Sequence, residues 1–327
     1  MAIEGSAPGK VILFGEHSVV YRGPAVVLAI DKRSRVVADR RRDKKIFIDS
    51  ENLGFSGYFL GDAYHPVRGE EWRGKGLAAI NVSARKTLES VGVKSGLNLV
   101  IRSDIPSAVG LGSSAAICVA TVAAVEALVE GGLSRDDICS LAYEGEKIVH
   151  GTPSGVDNNI STFGGIIKYE KGLGFERIKL DDSPPFIIGN TGRKRSTKKM
   201  VENVAALRER NTVIVDRIID ALGDVSGEGF SCLTKGDLRG MGELMNISHG
   251  LLTSLGVSSP QLDLLVYAAR YEGALGAKLT GAGGGGCMIA LAEDQDLKRV
   301  EEAILRERGD PIRIKISHEG VKTRKVG

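Results

Sequence analysis

Cysteine is scarce in this sequence, and none of it is spaced for chemistry. Cys118, Cys139, Cys232 and Cys287 are the four cysteines of a 327-residue chain, far apart and without a C-x-x-C pair. That pattern argues against a disulfide framework or a cysteine-based zinc site and for reduced, buried thiols. The five histidines form no H-x-x-x-H pair, so the common helical metal signature is missing as well. Neither sign of charge prevails, since 44 Lys and Arg oppose 41 Asp and Glu for a net charge of +3. A dedicated nucleic-acid binder carries a strong basic excess, and nothing here pulls the chain toward a membrane surface. The most apolar stretch, Ala115 to Val129, is too short to span a bilayer and is interrupted by Thr121 and Glu126. The opening residues MAIEGSAPGK lack the basic-then-apolar order of a secretory signal. The expectation is a cytoplasmic protein with no nucleic-acid or membrane partner.

What is present fits a globular protein rather than a disordered one. Hydrophobic residues make up 42% and charged residues 26% of the chain, and its length suits two domains of ~100–200 residues each. Short strands are predicted over 11–14, 25–30, 36–38 and 46–48, with the charged run 40–45 as a solvated hairpin tip. A helix follows over 75–89 and a strand over 97–101. The run from Ala115 to Val129 is apolar on nearly every face, which predicts a central buried helix. Ser134 to Asp137 forms a capping box that opens a helix running to about His150, and Gly151 to Gly155 is read as a turn.

The pair Pro184-Pro185 marks the division, giving units of 1–184 and 185–327. The second unit reads as a strand (186–188), long helices to about residue 255, and a helix opened by Ser259-Pro260. Then come strands at 277–279 and 287–291, a helix over 294–306 and an alternating strand over 312–316. That order predicts an α+β fold whose second half is an antiparallel sheet with helices on one face.

Three glycine-bearing segments carry the chemistry. In the first, Pro106, Ser107, Ala108, Val109, Gly110, Leu111, Gly112, Ser113, Ser114 and Ala115 lead into the apolar helix. Free N–H groups at a helix start favour an anion such as a polyphosphate. No Gly-Lys-Ser/Thr follows, so it is not a Walker loop, and no βαβ context makes it a dinucleotide fingerprint. On its own it also satisfies the needs of a tight strand-to-helix turn. The second segment runs from Glu144 to Asn158 and offers Glu146 and Asp157. Phosphoryl transfer needs cations on the phosphates, a held Mg²⁺ and a group to take the alcohol proton. Near the amino terminus, Lys10 enters a strand among apolar neighbours, a poor position for a merely solvated lysine, and beside Asp157 it would assist deprotonation. The third segment, Lys278 to Cys287, has more glycine than a hairpin turn requires, including Gly281 and Gly283 around Ala282. Such an excess points to close contact with a ligand or another backbone.

These segments, in this order and along the whole chain, resemble the signature motifs of the GHMP kinases, the small-molecule kinases named for galactose, homoserine, mevalonate and phosphomevalonate. The strings SAPGKVILFGEHSVVY, IPSAVGLGSSAA, GEKIVHGTPSGVDNNISTFGG and KLTGAGGGGC carry the likeness, with Asn190-Thr191-Gly192 beside them. The resemblance implies ATP and Mg²⁺, with mevalonate as the acceptor alcohol, a homodimer, and two domains with the active site in the cleft between them. It implies that Asp157 is the catalytic base and Lys10 its partner, and that Ser114 and Glu146 ligate Mg²⁺. Residues 106–115 would surround the ATP phosphates. Glu16 and His17 would orient the acceptor, with Arg195, Thr197 and the 281–283 turn in the same cleft. One departure is Ile117, where family members often have an aromatic residue near the nucleotide. The basic run Arg193, Lys194, Arg195, Lys198 and Lys199 leaves open a phosphorylated acceptor.

Overall fold

The computed structural model describes residues 1–21, 23–106, 109–151, 153–178, 180, 183–193 and 196–326. In chain order the first half contains β1 (Ala2–Phe14), α1 (Ser18–Tyr21), β2 (Ala25–Arg41), β3 (Ile46–Ser50), β4 (Phe55–Leu60) and β5 (Ala63–Arg68). It continues with α2 (Ala78–Ser90), β6 (Gly96–Ser103), α3 (Ser113–Val129), α4 (Arg135–His150), α5 (Val156–Phe163), β7 (Ile166–Glu170) and β8 (Gly174–Ile178). The second half contains β9 (Phe186–Asn190), α6 (Thr197–Arg210), α7 (Thr212–Lys235), α8 (Leu238–Ser254) and α9 (Pro260–Tyr271). It ends with β10 (Gly276–Thr280), β11 (Cys287–Leu291), α10 (Leu297–Arg306), β12 (Asp310–Ile314) and β13 (Lys322–Val326).

The first sheet runs β13-β1-β2-β6-β3-β4-β5, with β7 and β8 attached beside β2. All its pairings are antiparallel except β3 with β6. The long hairpin of β1 and β2 is its spine, and α3 lies across both. The absence of polar side chains from most of α3 is thereby explained: the helix is covered by the sheet on one side and by α2, α4 and α5 on the others. At Gly5 a Cβ would stand 2.2 Å from the carbonyl oxygen of Ala120, so this helix and strand meet backbone to backbone.

The second sheet, β10-β11-β9-β12, is antiparallel throughout. Alternation along its strands divides its faces. Ile187, Met288, Ala290, Ala277 and Leu279 pack with Leu262, Leu265, Val300 and Ile304 of α9 and α10. Phe186, Ile188, Cys287, Ile289 and Leu291 instead join the core of the first half. The two halves therefore share one continuous apolar interior.

Several elements differ from the sequence reading. The strands expected at 25–30 and 36–38 are one strand, β2, which passes through an irregularity opposite Pro8 and Gly9. The residues after the turn at Gly151 to Gly155, given no element in the sequence reading, form a helix, α5, from Val156 onward. It is short, and Gly155 at its N-cap provides no capping side chain, so its sequence signal is weak. β4, β5, β7 and β8 were not anticipated. The division at 184/185 places the chain's last segment in the second unit, whereas β13 pairs with β1 in the first sheet, from Ala2 opposite Val326 to Ser6 opposite Lys322.

Candidate functional site

Three segments distant in sequence meet on β1 between Pro8 and Ile12. The Lys10 backbone N–H donates to the Leu111 carbonyl at 2.9 Å, which fixes the glycine-serine loop against the strand. Ser161 Oγ of α5 donates to the Pro8 carbonyl at 2.9 Å. Thr280 Oγ1, at the end of β10, donates to the Ile12 carbonyl at 2.8 Å. β1 thus ties the strand bearing Lys10 to the start of α3, to the helix bearing Asp157, and to the third glycine segment.

These segments enclose a cavity of about 560 Å³. Its walls include Lys10 and Ile12 of β1, and Pro106, Gly110, Leu111, Gly112, Ser113, Ser114 and Ala115 at the start of α3. Glu146, Pro153, Ser154, Gly155, Asp157 and Asn158 form a second side, and Thr197, Lys198, Gly281 and Ala282 a third. Lys10 Nζ lies 3.3 Å from Asp157 Oδ1, with the lysine side chain 8% exposed and the aspartate 39%. Gly112, the N-cap of α3, has φ of 75°, and a Cβ there would stand 2.7 Å from Lys10 Cγ. Only glycine allows this approach of the loop to the lysine stem. The first N–H groups of α3 have no partner one turn earlier in the helix, and the residues that carry them, Ser113, Ser114 and Ala115, line the cavity.

Ser114 Oγ donates to Glu146 Oε1, so the two expected metal ligands are in contact. The Glu146 side chain is buried, and burial together with its negative charge pushes the neighbouring Cys118 thiol well up. A hydroxyl and a carboxylate beside a phosphate-sized cavity form a donor set suited to Mg²⁺, which takes few protein oxygens and completes its shell with phosphate and water. Among the described residues no group of three His, Cys, Asp or Glu side chains forms a self-sufficient metal cage.

Glu16 and His17 depart from the expectation that both face the acceptor. Glu16 is fully buried, is absent from the cavity wall, and accepts a hydrogen bond from Lys278 Nζ. Burial pushes the Glu16 carboxyl up and the Lys278 amine down, against their mutual attraction. His17, in a left-handed conformation with φ of 61°, donates from Nε2 to the Ala282 carbonyl at 3.0 Å. Together these contacts hold the segment after β1 to the third glycine segment. Gly283 likewise serves backbone contact: a Cβ there would stand 2.0 Å from the Val257 carbonyl oxygen, and the residue is absent from the cavity wall. Val109 is buried outside that wall. Ser107, Ala108 and Arg195 lie outside the described residues. Sequence reasoning assigned no role to Asn158, saw Lys198 only as part of a basic run, and did not pair Glu16 with Lys278. A lysine inside the apolar strand Ala277-Lys278-Leu279 was the signal for that partner.

A wider hollow, about 960 Å³, lies between Pro24 and α7. Its charged lining is mostly Asp216, Asp220, Asp224 and Glu228, and Arg208 there is bound to Asp216. Such a wall repels a triphosphate, whereas the smaller cavity joins a helix N-terminus to a buried ammonium.

Comparison with known proteins identifies the family. Residues 78–165 match the family model of the GHMP kinases N terminal domain, and residues 230–310 that of the GHMP kinases C terminal. A mevalonate kinase of Pyrococcus furiosus is 41% identical over 335 residues, covering 100% of this chain and 99% of the relative. The crystal structure of Methanococcus jannaschii mevalonate kinase superimposes with a TM-score of 0.81 at 29% identity, over 97% of this chain and 98% of that one. That of L. major mevalonate kinase in complex with R-mevalonate gives 0.82 at 28% identity, over 96% of this chain and 95% of that one. The chain belongs to the GHMP kinase family of ATP-dependent small-molecule kinases, and the three full-length relatives compared above are mevalonate kinases.

Proposed function

We propose that the chain transfers the γ-phosphoryl group of ATP to the primary hydroxyl of mevalonate. The observation that carries this reading is the Lys10–Asp157 pair at 3.3 Å in the same cavity as the start of α3. In this reading α3 and its loop cradle the phosphates with backbone N–H groups. The acceptor hydroxyl attacks the γ-phosphorus, the bond to the β–γ bridging oxygen breaks, and ADP leaves. Asp157 takes the hydroxyl proton, and the Lys10 ammonium offsets the charge that develops on the attacking oxygen. Ser114 and Glu146 would hold Mg²⁺, which when bound neutralises phosphate charge. Thr197, Gly281 and Ala282 flank the acceptor end, and His17 holds Ala282 in place from behind the wall.

The acceptor is the substrate carried by the full-length relatives rather than one dictated by the fold. Lys198 in the cavity wall is the feature that would favour a phosphorylated acceptor instead. The deciding experiment measures ADP release in parallel with mevalonate, phosphomevalonate, homoserine and galactose. Turnover confined to mevalonate supports the reading, and preference for any other acceptor overturns it. The protein would act in the cytoplasm as a homodimer, which sedimentation of the purified chain reads directly. Among the described residues no helix is long and apolar enough to cross a membrane.

A further inference from the structure

We infer that Asn158 binds a second, non-reacting hydroxyl of the acceptor and so selects an acceptor that carries one. The inference rests on the proposed phosphoryl transfer to mevalonate, whose tertiary hydroxyl is that group. Asn158 follows Asp157 on the first turn of α5 and is 1% exposed. It stands in the wall of the same cavity as Lys10, Ser114 and Asp157. Neither its Nδ2 nor its Oδ1 has a hydrogen-bond partner among the described residues. Its neighbours on the helix do better: Asn159 Oδ1 accepts from Arg177 Nε at 3.2 Å, and Ser161 is bound to β1. Thr162 Oγ1 is also unpaired but lies outside the cavity wall.

A buried carboxamide with both ends unpaired costs stability, so a group that arrives with the ligand is the natural partner. The required partner must both donate and accept. Phosphate and carboxylate oxygens only accept, which leaves Oδ1 unpaired. A metal ion offers no lone pair to Nδ2, and a water bound to it is a poor acceptor because the cation withdraws its remaining pair. A neutral hydroxyl satisfies both ends. It is not the reacting hydroxyl, whose single proton goes to Asp157 and is therefore not available to Oδ1.

The test compares Asn158→Leu with the wild-type chain. Leucine has a similar volume and removes the unpaired amide, so the melting temperature without ligands should hold or rise. KM for mevalonate should rise about 10–100-fold, as expected for two lost hydrogen bonds, with KM for ATP unchanged. A fall in melting temperature at unchanged mevalonate KM means a structural or water-filled role and overturns the inference. So does a KM change that falls on ATP. A second measurement needs no variant: 5-hydroxy-3-methylpentanoate, which lacks the tertiary hydroxyl, is assayed with the wild-type chain. A KM raised by the same factor supports the inference, and a KM equal to that of mevalonate sinks it alone. Absence of wild-type turnover with mevalonate itself would instead bring down the acceptor assignment, and this inference with it.

Discussion

Replacing Lys278 by methionine tests whether the buried cross-chain ion pair holds the site together. Lys278 and Glu16 are both fully buried, 262 positions apart, and joined directly through Nζ and Oε1. Lys278 also donates to the Leu279 carbonyl at 2.8 Å. Removing one partner of a buried pair leaves an uncompensated charge, a loss of about 3–5 kcal/mol. Burial already raises the Glu16 carboxyl, so in the variant that group can escape by taking a proton. The sign follows: the folded variant binds more protons than the unfolded chain, so its deficit grows as pH rises and shrinks on acidification. Adding Glu16→Gln removes the charge altogether, and the double variant should recover much of the loss. Urea unfolding of the four proteins at two pH values measures the coupling directly. Because the pair sits behind the His17 contact with Ala282, the single variant should also raise KM for the acceptor more than KM for ATP. A cost below about 1 kcal/mol, or a double variant no better than the sum of the singles, would refute the argument.

Three further outcomes are expected. Asp157→Asn should lower kcat by about 10²–10⁴ while leaving KM for ATP in place, as read by coupled ADP release. Because Asp157 is partly exposed, the stability of that variant should move by no more than about 1 kcal/mol. Ser114→Ala should raise the Mg²⁺ concentration for half-maximal rate about tenfold, and weaken Mn²⁺ binding to the ADP complex by a similar factor in a titration; unchanged curves would count against the ligand assignment. His249 is held down to about 4, first by burial and then by Arg270, against the pull of Asp263 3.3 Å away. An imidazole depressed below its usual 6.5 binds its proton more readily when unfolded, so stability should be full above pH 6.5 and drain away toward pH 4. His249→Asn should flatten that slope in urea titrations.

Legibility in the sequence tracked how local each signal was. The capping box at Ser134 and Asp137 forms as read, with the side chain of each residue bound to the backbone of the other. The all-round apolar run became the buried α3 because its pattern needs no partner to interpret it. Glycines at Gly112 and Gly283 announced close approach before any contact was visible. Long-range pairing left weaker traces. The β13 segment is mostly charged and exposed, an edge-strand composition that reads as a tail until β1 is there to receive it. Glu16 stands in the same segment as His17 and reads like a second substrate contact. Its burial depends on a lysine from the other end of the chain, which no local window contains. Asn158 was overlooked for a similar reason: whether an asparagine is paired is known only once all its neighbours are placed.

The returning strand β13 has a consequence for the strand that carries Lys10. β1 carries Lys10, and without β13 it would be the open edge of the first sheet. The link between tail and strand is Arg33, whose side chain is nearly buried. Its guanidinium donates to the Ser6 carbonyl at 2.9 Å, to the Glu319 carbonyl at 3.2 Å and to the Gly320 carbonyl at 2.6 Å. Burial lowers the affinity of that group for its proton, so the carbonyls are what keep the charge tolerable. Ending the chain after His318 would remove two of these acceptors and the five-residue pairing from Ala2 to Ser6. Hydrogen bonds to a charged donor are each worth about 1.5–3 kcal/mol, so the truncation should cost at least about 3 kcal/mol in urea unfolding. The bared edge should also promote association, visible as a concentration-dependent rise in light scattering. Arg33→Met in the full-length chain separates the two effects, since it removes the buried charge while leaving β13 to pair. If the truncated chain unfolds at the wild-type urea concentration and stays dispersed, then β1 does not depend on its returning neighbour and the reasoning fails.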